Sequence, residues 1–142
     1  MGTESSKIGI VLVTHGNFGK SLVEAAELIV GPQDYIRSVS VDVSQGIDAA
    51  MVYLKETIGA VSNGVGVLIL TDMFGGTPTN LSLSLLQGDD IEVVTGVSLP
   101  MLLKALQKRN ESLQTMAEEV SKAGAKGIVI AGEMLRKRTS KG

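Results

Sequence analysis

Ile8-Gly9-Ile10-Val11-Leu12-Val13 runs straight into Thr14-His15-Gly16, and this stretch decides the fold. Apart from Gly9, every position of the run carries an apolar side chain, so no face is left for water. A strand of that kind is covered by helices on both sides and sits centrally in a parallel sheet. Downstream, Phe18–Val30 carries Leu22, Ala25, Ala26 and Ile29 at helical spacing, and Gly31-Pro32 stops it. A second strand is expected at Ile36–Val43. Ile47, Ala50, Met51, Leu54 and Ile58 mark the next helix. Val65–Thr71 is another continuous apolar run and predicts a third strand, followed by a glycine-rich turn and a helix at Pro78–Leu86 with Pro78 in its first position. Ile91–Thr95 predicts a fourth strand, Ser98 opens a helix through Leu106, and Ser112–Ala123 makes another that closes at Gly124. A short fifth strand is expected at Gly127–Ala131.

Strands alternating with helices, with no long linker or internal repeat between them, make an α/β fold. Right-handed crossovers give the economical arrangement, a doubly wound parallel sheet of order 2-1-3-4 flanked by helices. In such a sheet a crevice opens between the carboxyl ends of strands one and three, where ligands bind. Two loops are delivered to it: Thr14-His15-Gly16, and Thr71-Asp72-Met73-Phe74-Gly75-Gly76-Thr77-Pro78.

His15 is the only histidine of the chain. Asp72, ending an apolar strand, needs a partner or solvent, since burying a lone carboxylate costs several kcal/mol. Paired with His15, it would accept Nδ1–H and leave the Nε2 lone pair free as base, ligand or nucleophile; the alternative is that it caps the following turn. Gly75-Gly76-Thr77 ahead of a helix offers permissive backbone, inward amides, a hydroxyl and the positive end of a helix dipole, which together form an anion cradle. Turn geometry alone is the competing explanation of the glycine pair. Facing His15, the cradle points to an imidazole meeting a phosphoryl group.

Composition narrows the field. The 142 residues, 44% hydrophobic and 20% charged, suit one folded domain. The absence of cysteine removes disulfide frameworks, thiolate nucleophiles and cysteine metal clusters, and one histidine is too few for a zinc or iron site without carboxylates, so no metal is expected. Four aromatics without tryptophan argue against base stacking, hence against nucleic acid. The formal charge of −2 divides into +4 on Arg136, Lys137, Arg138 and Lys141 and −6 elsewhere; residues 132–142 read as a solvated basic tail. Residues 1–6 read as a flexible leader, although Met1-Gly2 with Ser6 also fits a short lipidation pattern. No apolar run approaches the roughly 18 residues that span a bilayer, and there is no signal peptide, so a soluble, cytoplasmic protein is expected. Ser98 follows strand four and raises a Ser-His-Asp hydrolase, but no Gly-x-Ser-x-Gly elbow exists. A nucleotide-binding P-loop is missing too.

Three blocks resemble a family: Ile10-Val11-Leu12-Val13-Thr14-His15-Gly16, Leu70-Thr71-Asp72-Met73-Phe74-Gly75-Gly76-Thr77-Pro78-Thr79-Asn80, and Thr95-Gly96-Val97-Ser98-Leu99-Pro100-Met101-Leu102. In order and separation they are similar to the mannose-family enzyme IIA domain of the bacterial sugar phosphotransferase system, over residues 7–131. The resemblance implies that His15 takes a phosphoryl group from the small carrier protein HPr and passes it to a histidine of a IIB component, with Asp72 orienting it. Thr77 stands where many members carry Ser, and Phe74 where others carry Trp. The resemblance further implies a fifth, antiparallel strand exchanged across a homodimer, which would be Gly127–Ala131. With no IIB domain in the sequence, the acceptor is expected to be a separate protein, and contact with the membrane to be indirect, through transporter components.

The Gly75–Thr77 amides and hydroxyl can serve the loose transition state of phosphoryl transfer without a cofactor. Met73 and Phe74 are either an apolar docking rim or core. Three other functions compete with the carrier reading: a regulator that signals carbon supply through the state of His15, a phosphotransfer subunit serving dihydroxyacetone kinase, and a module that binds a small anion without a covalent adduct.

Overall fold

A computed structural model describes residues 6–140 apart from Val43, Gln45 and Asp89. The leader expected at residues 1–6 therefore lies outside the described residues except for Ser6, as do the last two residues of the chain. Four strands form the sheet, β1 (Gly9–His15), β2 (Ile36–Val41), β3 (Val67–Thr71) and β4 (Ile91–Val94). The helices are α1 (Phe18–Val30), α2 (Ile47–Val61), α3 (Gly76–Leu83), α4 (Leu99–Gln107), α5 (Leu113–Lys126) and α6 (Ala131–Ser140). All strand pairs are parallel and their order is β2-β1-β3-β4, as expected. Val11 stands beside Arg37 on one side and Ile69 on the other.

The all-apolar run now has its explanation in two cores. Ile10 and Leu12 of β1, with Leu68 and Leu70 of β3, pack under Ala26 of α1, Leu102 of α4 and Met116 of α5. The alternate residues Val11, Val13, Val67 and Ile69 pack on the opposite face against Leu54 of α2 and Leu81 of α3. Because side chains alternate along a strand, one strand feeds both layers, and every β1 position through Thr14 is buried.

Of the boundaries that differ from expectation, three have clear local reasons. Gly75, at φ 85°, turns the chain early, so α3 opens at Gly76 and Pro78 becomes its third residue; the missing amide of proline is still harmless in a first turn. The same helix ends sooner than predicted because the Leu85 and Leu86 amides bond back to Ser82 and Leu83, tightening the chain into a turn. Gly124 does not close α5. A Cβ at Gly124 would lie 2.8 Å from Met101 Cγ, so this glycine is where α4 and α5 come together, and α5 continues to Lys126.

The C-terminal region departs furthest. Gly127 caps α5, and Ile128–Ile130 carry no strand pairing among the described residues. Ile128 is 84% exposed and Ile130 64%, so the strand expected at Gly127–Ala131 does not form within one chain, whose sheet ends at the open edge of β4. The basic segment is helical: Arg136, Lys137 and Arg138 lie exposed on α6, whose Met134 and Leu135 also face solvent.

Candidate functional site

His15 is the last residue of β1, and the loop after it is pinned from both sides. The Thr14 hydroxyl accepts the Gly19 amide at 2.8 Å, tying the start of α1 to the end of β1. From β2, the Ser40 hydroxyl donates to the Gly16 carbonyl. The imidazole emerges from a buried strand end into the crevice, its side chain about half exposed.

Asp72, the first residue after β3, reaches across the gap to His15. Its Oδ2 lies 2.8 Å from His15 Nδ1 and also accepts the His15 backbone amide at 2.9 Å. Burial pushes the Asp72 carboxyl up, but the two His15 bonds together with the attraction of the ring outweigh it and leave the group below the ordinary carboxylate range. A depressed carboxylate contributes stability above its unfolded pKa and loses it as pH falls through the folded value, so Asp72 is an anion at neutral pH. An ionised carboxylate only accepts hydrogen bonds. The ring proton therefore sits on Nδ1, and Nε2 presents its lone pair outward.

Gly76 faces that nitrogen. A Cβ built on it would stand 3.4 Å from His15 Cε1 and 3.6 Å from Nε2; a side chain there would occupy the space in front of that nitrogen. Its φ of 82°, costly for any residue with a Cβ, makes the same demand from the backbone. Gly75 and Thr77 flank it. All three contribute to the start of α3, Gly75 as its N-cap, where amides have no intrahelical acceptor. The half-buried Thr77 carries a hydroxyl that bonds to no other described residue.

His15, Asp72 and Gly76 are thus brought together as the sequence predicted, and Asp72 binds the histidine rather than merely capping a turn. Ser98 does not join them. Its hydroxyl is buried without a hydrogen-bond partner among the described residues and makes no bond to His15, so no Ser-His-Asp relay is assembled. Met73 and Phe74 are rim, not core, 53% and 79% exposed beside the crevice. Sequence reasoning passed over Thr71 and Thr79, both fully buried, whose hydroxyls meet at 2.8 Å behind Asp72. The available signal was two β-branched hydroxyl residues bracketing the Asp72–Pro78 loop. No described helix is long and apolar enough to cross a membrane.

Comparison with known proteins bears on this geometry. The family model for the "PTS system fructose IIA component" matches residues 9–123. The sorbose-specific EIIA component of Lacticaseibacillus casei is 32% identical over 117 residues, 80% of this chain and 83% of that protein. The mannose-specific EIIAB component of Escherichia coli K12 is 28% identical over 127 residues, 85% of this chain, which spans only 39% of the length of that relative. Among solved structures, the phosphotransferase system component EIIA from Streptococcus agalactiae superimposes with a TM-score of 0.79 at 31% identity, covering 89% of this chain and 98% of that one. With the family model covering most of the described fold and all the residues that meet at the crevice, this chain belongs to the IIA components of the sugar phosphotransferase system.

Proposed function

We propose that the protein is a cytoplasmic phosphoryl carrier that takes a phosphoryl group from HPr onto His15 Nε2 and passes it to a separate IIB component. The observation that carries this reading is the single Asp72 oxygen holding both the Nδ1 proton and the backbone amide of His15. The Nε2 lone pair attacks phosphorus, the Nε2–P bond forms as the donor's N–P bond breaks, and no proton leaves the ring. Positive charge that builds on the imidazole is balanced by the Asp72 carboxylate. The amides of the first turn of α3 and the Thr77 hydroxyl receive the equatorial oxygens, which is most of what a loose transition state asks of a protein. Phe18, Met73 and Phe74, all exposed around the crevice, offer apolar contact to the donor and acceptor proteins.

Mixing the chain with phospho-HPr and following loss of phosphoryl from HPr tests the proposal. Asp72→Asn keeps the shape but can present an amide NH₂ to Nδ1; the rate is expected to fall about 10²–10³-fold, the usual cost of one preorganised electrostatic partner. An unchanged rate in Asp72→Asn, or an ion bound without a covalent adduct, contradicts the reading. Gly76→Ala places its Cβ against Nε2. Its transfer is expected to fall by about 10² or more, read in the same assay, with folding verified by circular dichroism.

We further propose that Ile128–Ile130 pairs antiparallel with β4 of a second copy. Its exposure, the open β4 edge and the cavity of about 290 Å³ beside them, lined by Val94, Gly96, Ser121 and Ile128 among others, support this. A bare apolar strand is an aggregation hazard that symmetric exchange removes. Light scattering at micromolar concentration is expected to give a dimer, and Ile130→Asp a monomer; a monomeric parent chain excludes the exchange.

A further inference from the structure

The Asp72 carboxylate is held through only one of its two oxygens. Oδ2 serves His15, while Oδ1 is buried with no partner among the described residues. The carboxylate is thus held through one oxygen only, from the His15 side, and its aim also depends on the backbone to either side. The residues on either side are tied by one hydroxyl, one through its side chain and the other through its main-chain carbonyl. Thr79 Oγ1, on the fourth residue of α3, lies 2.8 Å from Thr71 Oγ1 and 2.5 Å from the Met73 carbonyl oxygen. These are the two residues that flank Asp72.

Counting protons settles the direction of the chain. A carbonyl only accepts, so the single Thr79 hydroxyl proton goes to Met73, and the Thr71 hydroxyl must donate to Thr79. Thr71 is also held by its carbonyl, which accepts the Val97 amide at 2.9 Å. Both hydroxyls are fully buried, where a satisfied polar chain is rigid and a broken one costly. The relay runs from the end of β3 through α3 and back to the loop, spanning the residue that orients the histidine.

We propose that Thr79 is a positioning residue, whose hydroxyl ties the Met73 main-chain carbonyl to the Thr71 side chain across Asp72 and so aims the carboxylate at His15 Nδ1. The consequence for phosphoryl transfer rests on the His15 reading above; the consequence for the imidazole does not. In Thr79→Val the shape is kept while the Met73 carbonyl and the Thr71 hydroxyl both lose their partner. The loop then relaxes, the Asp72–His15 bond is less populated, and the ring proton redistributes between Nδ1 and Nε2.

The test is ¹⁵N spectroscopy of the full-length chain, whose one histidine makes ring assignment unambiguous, combined with transfer from phospho-HPr. The parent and Thr79→Ser, which keeps the hydroxyl, are expected to show neutral His15 as the Nδ1–H tautomer. Thr79→Val is expected to shift toward the mixture of a free imidazole and to transfer about tenfold more slowly. A tautomer signature in Thr79→Val identical to the parent overturns the proposal, whatever the transfer rate. A shifted tautomer with undiminished transfer supports the positioning and counts instead against His15 as the carrier. Should Thr79→Val fail to fold, Thr71→Val removes only the outer donor; a smaller shift in the same direction supports the relay, and none overturns it.

Discussion

His15→Ala is expected to abolish phosphoryl uptake from phospho-HPr while leaving the fold in place. The two halves of that expectation come from different observations. Chemically, no second histidine and no cysteine exists to take over as a nitrogen or thiolate nucleophile. Structurally, the imidazole is about half exposed and packs into neither core. Its one hydrogen bond to Asp72 is lost, but the backbone amide of residue 15 still donates to the same oxygen, so the carboxylate is not orphaned. The stability change should stay within about 1 kcal/mol. Intact-mass measurement after incubation with phosphoenolpyruvate, enzyme I and HPr reads the first half, and thermal melting the second. Adduct on the alanine variant at the parent level would place the chemistry elsewhere.

Arg109→Ala is expected to do the reverse, destabilising the fold strongly while sparing the chemistry. Arg109 follows α4 and is 5% exposed. Its guanidinium donates to three backbone carbonyls, Ile8 at 3.0 Å, Asp34 at 2.7 Å and Tyr35 at 2.8 Å. Ile8 precedes β1 and Asp34-Tyr35 precede β2, so this one side chain fastens the amino ends of adjacent strands to the end of α4. Burial pulls the guanidinium down while the nearby Asp34 carboxylate pushes it back up. Truncation removes three charge-assisted bonds to the backbone and takes that donor from the carbonyl of buried Ile8, at a cost of about 3 kcal/mol, which for a chain of this size lowers the melting temperature by roughly 10 °C. Lys cannot present the planar fork, so Arg109→Lys should recover only part of the loss. Below the melting transition, transfer by Arg109→Ala should match the parent, because His15 sits at the opposite, carboxyl end of β1. A melting temperature unchanged in Arg109→Ala would show that the fork contributes little.

The sheet and the heart of the site were legible in the sequence because each rests on a pattern one chain must satisfy by itself. The apolar run Ile8–Val13 needs cover on both faces, and strand order follows from crossover handedness, which puts His15 and Asp72 at adjacent strand ends. The features that were not legible depend on packing between elements. Gly124 looks like a helix stop in the sequence, yet it is the point where Met101 approaches α5. Pro78 looks like a first helical residue, but Gly75 turns the backbone sooner. Thr79 looks like any helix residue; only the fold brings its hydroxyl between Thr71 and Met73. Ile128–Ile130 has strand composition but pairs with no strand among the described residues, since local propensity alone does not make a strand.

The central claim is that Asp72 holds Nδ1 and leaves Nε2 to carry the phosphoryl group. Long-range proton–nitrogen correlation on the ¹⁵N-labelled, phosphorylated protein reads the modified nitrogen directly. The expected result is a single phosphohistidine, at His15, bonded through Nε2 with the proton retained on Nδ1. A phosphoryl group on Nδ1, or a protein that leaves phospho-HPr with its histidine unmodified, would contradict it.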